Sequence, residues 1–142
     1  MKKVKIGEIV NVYPLIMKSS FEKMSGKAKF QMIQIIKAFK EPARSFEELR
    51  QDAVRKLAGE DYQEAIKKVQ NPKDYSEDEV KEALKVAKTS DDAYSKFVQE
   101  ECEKEVEVEF ELLKEDDFES LLEGSKDLTP QELMMLSELI CE

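Results

Sequence analysis

Glu105-Val106-Glu107-Val108-Glu109-Phe110-Glu111-Leu112 alternates acidic and apolar side chains without a break. Successive side chains of a strand point to opposite faces. Val106, Val108, Phe110 and Leu112 therefore make one apolar face, and four glutamates make the other. Residues 2–6, Lys-Lys-Val-Lys-Ile, alternate in the same way with lysine in the charged positions. The pattern predicts two strands, 2–6 and 105–112. Their opposite charges predict that they pair, with Lys3 and Lys5 across from Glu107 and Glu109. Each exposed pair contributes about 0.3 kcal/mol, to which relief of repulsion along the glutamate face is added.

The sequence between these strands reads as helical. Ile9, Val12, Leu15 and Ile16 form a helical stripe over 8–18, with Pro14 expected to kink it or delay its start. After a connection at 19–26 comes the longest regular signal. Ala28, Met32, Ile35, Phe39, Pro42, Phe46, Leu49 and Ala53 recur at steps of four and three, a heptad register. Ser45 with Glu48 three residues on imitates a helix start just after Pro42. The heptad phase survives across the proline, so one long kinked helix is expected, closed by Gly59 as its C-cap. Shorter helices follow at 61–69, after the Ser76 cap, after a cap at Ser90 or Asp91, and at 116–122. A last helix opens on Thr129-Pro130-Gln131-Glu132, with a capping residue, proline at the first position and glutamate at the third. The fold expected is α+β, mainly α: a long kinked helix packed with several shorter helices and a small two-stranded sheet. Residues 1–142 read as a single domain, with 59–90 a variable, mobile helical insertion.

Composition narrows the chemistry. The 142 residues carry 23 Lys and Arg against 32 Asp and Glu, a net charge of -9, and contain no His and no Trp. Charge is unevenly placed: residues 1–60 hold 13 basic and 7 acidic residues, and 100–142 hold 3 and 16. Without histidine, Ser-His-Asp and Cys-His nucleophiles and mixed Cys/His zinc sites cannot be assembled within the chain. Cys102 and Cys141 are too few for a four-cysteine site and lack Cys-x-x-Cys spacing. They read as reduced, half-buried thiols of a cytosolic protein. The four glycines stand alone, so no phosphate-cradling loop is present. The Glu115–Glu119 stretch lacks the spacing of a calcium loop. Ser20-Phe21-Glu22-Lys23 fits S-x-x-K, but its partner motifs are missing and chance accounts for the match. The longest mostly apolar stretch, 9–17, falls well short of a bilayer span of roughly 20 residues. No cofactor, no metal and no membrane association are expected.

Several motifs carry a family likeness. Ile6-Gly7-Glu8-Ile9 through Tyr13-Pro14 follows a K-x-K-I opening. The long helix ends in Phe46-Glu47-Glu48-Leu49-Arg50, the strand reads Glu-Val-Glu-Val from Glu105, and the chain closes with Leu128-Thr129-Pro130-Gln131-Glu132-Leu133. In these respects, over residues 1–58 and 91–142, the chain resembles a family of small phage and prophage proteins grouped as a domain of unknown function. The resemblance implies a viral or prophage origin, intracellular expression and no known enzymatic activity. It carries over no functional residues.

The function expected is therefore non-enzymatic: a small virion component or assembly factor acting through protein–protein binding, in the host-cell cytoplasm or the virion. The partner is a phage structural protein, a second copy of the chain or a host factor. Candidate protein-binding residues are Met32, Ile35, Phe39, Phe46 and Leu49 on the heptad face, and Met134 and Met135 on the terminal helix. The alternative is an acidic inhibitor or DNA mimic that binds a host nucleic-acid-binding or defence protein through Glu105, Glu107, Glu109, Glu111, Asp116 and Asp117. Direct nucleic-acid binding is disfavoured, because the basic residues surround the long helix and the overall charge opposes approach to phosphate.

Overall fold

A computed structural model describes residues 2–142. In chain order they form β1 (Lys2–Lys5), α1 (Ile6–Lys18), α2 (Gly26–Leu57), α3 (Glu60–Gln70), a 3-10 turn (Pro72–Asp74), α4 (Glu77–Glu103), β2 (Glu105–Val108), α5 (Glu115–Gly124) and α6 (Pro130–Ile140). The fold is mainly helical α+β, with one small sheet among the described residues. Among them no helix is long and apolar enough to cross a membrane.

The two strands pair antiparallel, with Lys2 opposite Val108, Lys3 opposite Glu107, Val4 opposite Val106 and Lys5 opposite Glu105. The Lys3–Glu107 pairing is the expected one. Lys5 meets Glu105 rather than Glu109, because in an antiparallel ladder a step forward on one strand is a step back on the other. Lys5 Nζ also bridges to Glu103 at 3.0 Å. β2 ends at Val108, where the paired part of β1 ends, rather than continuing to residue 112. Beyond it Phe110 turns to Phe39, with ring centroids 5.1 Å apart, and Leu113 bridges to Cys141.

The chain clusters into two compact units, Met1–Phe46 with Cys102–Glu142, and Glu47–Glu101. The sequence boundaries of 59–90 for an insertion fall inside the second. The first unit has a core of large side chains: Ile9, Ile16, Met32, Ile35, Phe39, Leu113, Leu121, Leu136 and Ile140 are fully buried. The second is held by small ones, with Ala65, Ala83 and Ala87 buried and Tyr62, Ile66 and Val69 packed around them.

The helix ends follow local chemistry. The Ser25 hydroxyl accepts from the Ala28 N–H at 3.1 Å and starts α2. That helix runs unbroken through Pro42, as the heptad phase predicts. The lost backbone bond costs about 3 kcal/mol, offset by apolar burial at Met32, Ile35 and Phe39 before it and at Phe46 and Ala53 after it. Gly59 is not the C-cap of α2: its backbone is extended, with φ -71° and ψ -171°, and it caps the start of α3 instead. Ser76 accepts from the Glu79 N–H at 3.2 Å and opens α4. No second helix begins at Ser90 or Asp91, which lie inside α4. Residues 77–103 contain no Gly or Pro to interrupt it. Thr89 donates back to the Lys85 carbonyl at 2.9 Å, and Asp91 takes the Tyr62 hydroxyl rather than a backbone donor. α6 carries the full reciprocal cap, Thr129 hydroxyl to Glu132 N–H and Glu132 carboxylate to Thr129 N–H.

One glycine is fixed by a close approach. A Cβ at Gly124 would stand 2.9 Å from the Ser20 carbonyl oxygen, whereas one at Gly26 meets nothing within 4 Å. Gly124→Ala is expected to destabilise by about 1–3 kcal/mol. Gly26→Ala should be neutral or stabilising by up to about 1 kcal/mol. Urea unfolding of the two variants measures the contrast, and equal midpoints would contradict it.

Candidate protein-binding surfaces

Side chains spaced by three and four share one face of a helix, and in α2 the fold consumes that face. Met32, Ile35 and Phe39 are wholly buried in the first unit's core, and Phe46 is buried as well. These four candidates are core rather than surface. Leu49, in the second unit, is 44% exposed. The apolar residues of α2 that do face outward are Phe30, 61% exposed, and Ile33, 44% exposed, one turn apart. Between residues 26 and 46 the helix carries Lys27, Lys29, Lys37, Lys40 and Arg44 against the single acid Glu41. Arg44 reaches Glu41 at 2.9 Å. The signal that marks Phe30 and Ile33 is their phase: both are apolar and neither belongs to the heptad stripe.

α6 packs on α1. Leu136 and Ile140 are buried, Leu133 and Leu139 half-buried, and Met134 is 63% exposed. Met135 joins Val12 and Leu139 in the floor of a slot of about 130 Å³, rimmed by Glu8, Asn11 and Glu138. At the other end of the helix pair, Lys18 Nζ lies 3.7 Å from Glu132. The Glu132 carboxyl is held below the usual range, first by the Thr129 N–H; burial opposes this next, and the Thr129 hydroxyl and Lys18 add to the lowering.

The acidic candidates lie at the edge of the same unit. Glu105, Glu107, Glu109, Glu111 and Asp116 are exposed and Asp117 is half-buried. The register sets Glu105 and Glu107 opposite Lys5 and Lys3. Glu111 accepts from the Gln31 side chain at 3.4 Å.

In the second unit, Val54, Leu57 and Ala58 of α2, Tyr62 of α3, and Ser90, Asp91 and Tyr94 of α4 enclose a groove of about 280 Å³. Both tyrosine hydroxyls are held. Tyr62 donates to Asp91 at 3.0 Å, and Arg50, itself paired with Glu47, donates to Tyr94 at 3.3 Å. Neither tyrosine emerges as a site residue from the sequence, where both read as ordinary members of amphipathic stripes.

The sequence singles out three nucleophile-bearing residues, Cys102, Cys141 and Ser20. Cys102 and Cys141 are half-buried and not joined to each other. Burial pushes the Cys141 thiol up, and nearby Glu115 and Glu142 push it further, leaving little thiolate near neutral pH. Ser20 of the S-x-x-K match is tied through its backbone: its N–H donates to the Ser125 hydroxyl at 3.1 Å. Among the described residues, no group of three or more Cys, Asp or Glu has the arrangement of a metal site.

No family model, no curated protein and no solved structure matches this chain.

The groove yields a pH-dependent test. The bond to Asp91, followed by burial and the Asp91 charge, holds the Tyr62 phenol above its ordinary range. A raised value favours the neutral hydroxyl in the folded state. Its contribution is full below about pH 10 and is lost as pH rises through the raised value. Tyr62→Phe is expected to remove the high-pH end of the phenolate absorbance titration, and Asp91→Ala to shift it down. An Asp91→Ala profile that overlays the wild type would contradict the assignment.

Proposed function

We propose that this chain is a non-enzymatic phage or prophage protein that works by binding another protein, as a small virion component or assembly factor. The observation that carries the binding part is the outer face of α6. Met134 is 63% exposed on a helix whose inner face is already satisfied by Leu136 and Ile140. Met135 opens the apolar slot against α1 beside it. Methionine is flexible and polarisable, and suits surfaces that must fit a partner. The viral origin, and with it a place in the host cytoplasm or virion, rests on the motif resemblance between residues 1–58 and 91–142 and the phage family.

The strand register weighs against the acidic-inhibitor reading. Glu105 and Glu107 face lysines of the same fold, so half of the four-glutamate ladder is balanced internally. A phosphate mimic would hold that charge outward for a basic partner.

Affinity capture from phage-infected cells, comparing the wild-type chain with Met134→Asp, tests the reading. The wild type is expected to retain a phage-encoded structural protein that the variant loses. Identical captured proteins for the two chains, with circular dichroism unchanged, would count against it.

A further inference from the structure

Two features of the first unit complement each other in shape and charge. One is a knob: Phe30 and Ile33 stand out from α2 at 61% and 44% exposure, outside the core that Met32, Ile35 and Phe39 complete. Lys29 adjoins the knob, and Lys37 lies two turns further along the same stripe. The other is the slot between α1 and α6, apolar at Val12, Met135 and Leu139 and rimmed by the carboxylates of Glu8 and Glu138. An aromatic ring flanked by ammonium groups and an apolar slot flanked by carboxylates are opposite halves of one contact.

We propose that the occupant of the slot is Phe30 of a second copy of this chain, with Lys29 and Lys37 of that copy facing Glu8 and Glu138. This rests on the protein-binding reading of the same terminal helix and names one partner for it. Knob and slot are different surfaces, so the contact is heterologous. It passes from copy to copy and either closes into a ring or extends as a filament. Such growth suits a component that assembles. One ring in one slot buries well under the roughly 1,000 Å² of a stable interface. Association therefore develops at protein concentrations of about 0.1–1 mM, or where copies are gathered on a scaffold.

Sedimentation equilibrium over a concentration series provides the test. The wild-type chain is expected to show a weight-average mass that climbs above the 16.4 kDa monomer. Phe30→Asp is expected to remain at the monomer mass, and so is the double variant Glu8→Lys/Glu138→Lys. The second variant is the more stringent. Each reversal adds two charges, so the net charge moves from -9 to -5, and weaker general repulsion alone would increase association. Mixing the two variants leaves one intact knob and one intact slot and should yield a 1:1 dimer and nothing larger. Phe30, Glu8 and Glu138 are all exposed, so the variants are expected to fold, which circular dichroism checks. Asn11→Trp, which fills the slot from its exposed rim, gives a second block. A wild type that stays monomeric throughout, or a Glu8→Lys/Glu138→Lys variant that associates as well as the wild type, would overturn the proposal. If the wild type stays monomeric while Met134-dependent capture persists, the inference about a second copy falls and the binding reading stands.

Discussion

The antiparallel pairing of Lys2–Lys5 with Glu105–Val108 is the constraint on which the first unit depends. It joins segments about one hundred residues apart and fixes where the chain goes next after each of them. The Ile6 N–H donates to the Lys104 carbonyl at 2.9 Å, so α1 starts where the ladder stops. The alternation sorts side chains: Val4 and Val108 are buried, while Lys3, Lys5, Glu105 and Glu107 face water. A slip of one residue would exchange these faces and put charge into the core. The alternation therefore fixes which face is buried, while the opposed charges add only a few tenths of a kcal/mol each to stability. Lys2 shares the inner face, and its ammonium reaches the ring of Phe110, 5.3 Å from the centroid. A cation over an aromatic face is a low-cost way for a lysine to occupy the apolar side of a ladder.

The two units rest on different physics. In the first, large aliphatic and aromatic side chains from both ends of the chain are excluded from water together. In the second, the buried residues are alanines, and tyrosine hydrogen bonds at Tyr62 and Tyr94 supply part of the definition. Alanine buries little area per residue, so this unit has the smaller hydrophobic stabilisation. It also sits at the end of the range where local opening is expected first.

Much of the fold was legible because local chemistry and pattern agreed. Strict alternation marked both strands, the Thr129–Glu132 reciprocal cap marked α6, and the heptad phase carried α2 through Pro42. The misreadings arose where a local signal was overruled. Ser90 and Asp91 resemble caps, but nothing before them ends the helix. Gly59 could end a helix in a left-handed conformation, and it caps the next one in an extended conformation instead. Glu109 to Leu112 keeps the alternation of a strand beyond the described ladder, because alternation reports two faces and not who pairs with them. The candidate surface was less legible still. The heptad residues Met32, Ile35 and Phe39 are apolar because they are core. The residues that face outward, Phe30 and Ile33, are informative through their departure from the stripe. The Tyr62–Tyr94 groove depends on helices distant in sequence meeting, which periodicity within one helix does not reveal.

The basic front and acidic back of the sequence also acquire a physical reading. Part of the opposition is met inside the fold at the strand pair, and part is displayed, with lysines around the Phe30 knob and carboxylates at the Glu8–Glu138 slot. Both displayed patches belong to the unit that the strand pair closes, so the register is the claim to test first. Oxidation of paired cysteine variants measures it directly. Directly opposed positions of an antiparallel ladder lie within disulfide reach. Lys5→Cys/Glu105→Cys should cross-link readily, with the bond assigned by peptide mass mapping, whereas Lys5→Cys/Glu109→Cys should not. Efficient cross-linking of position 5 to 109 in place of 105 would contradict the register and the account of the first unit built on it.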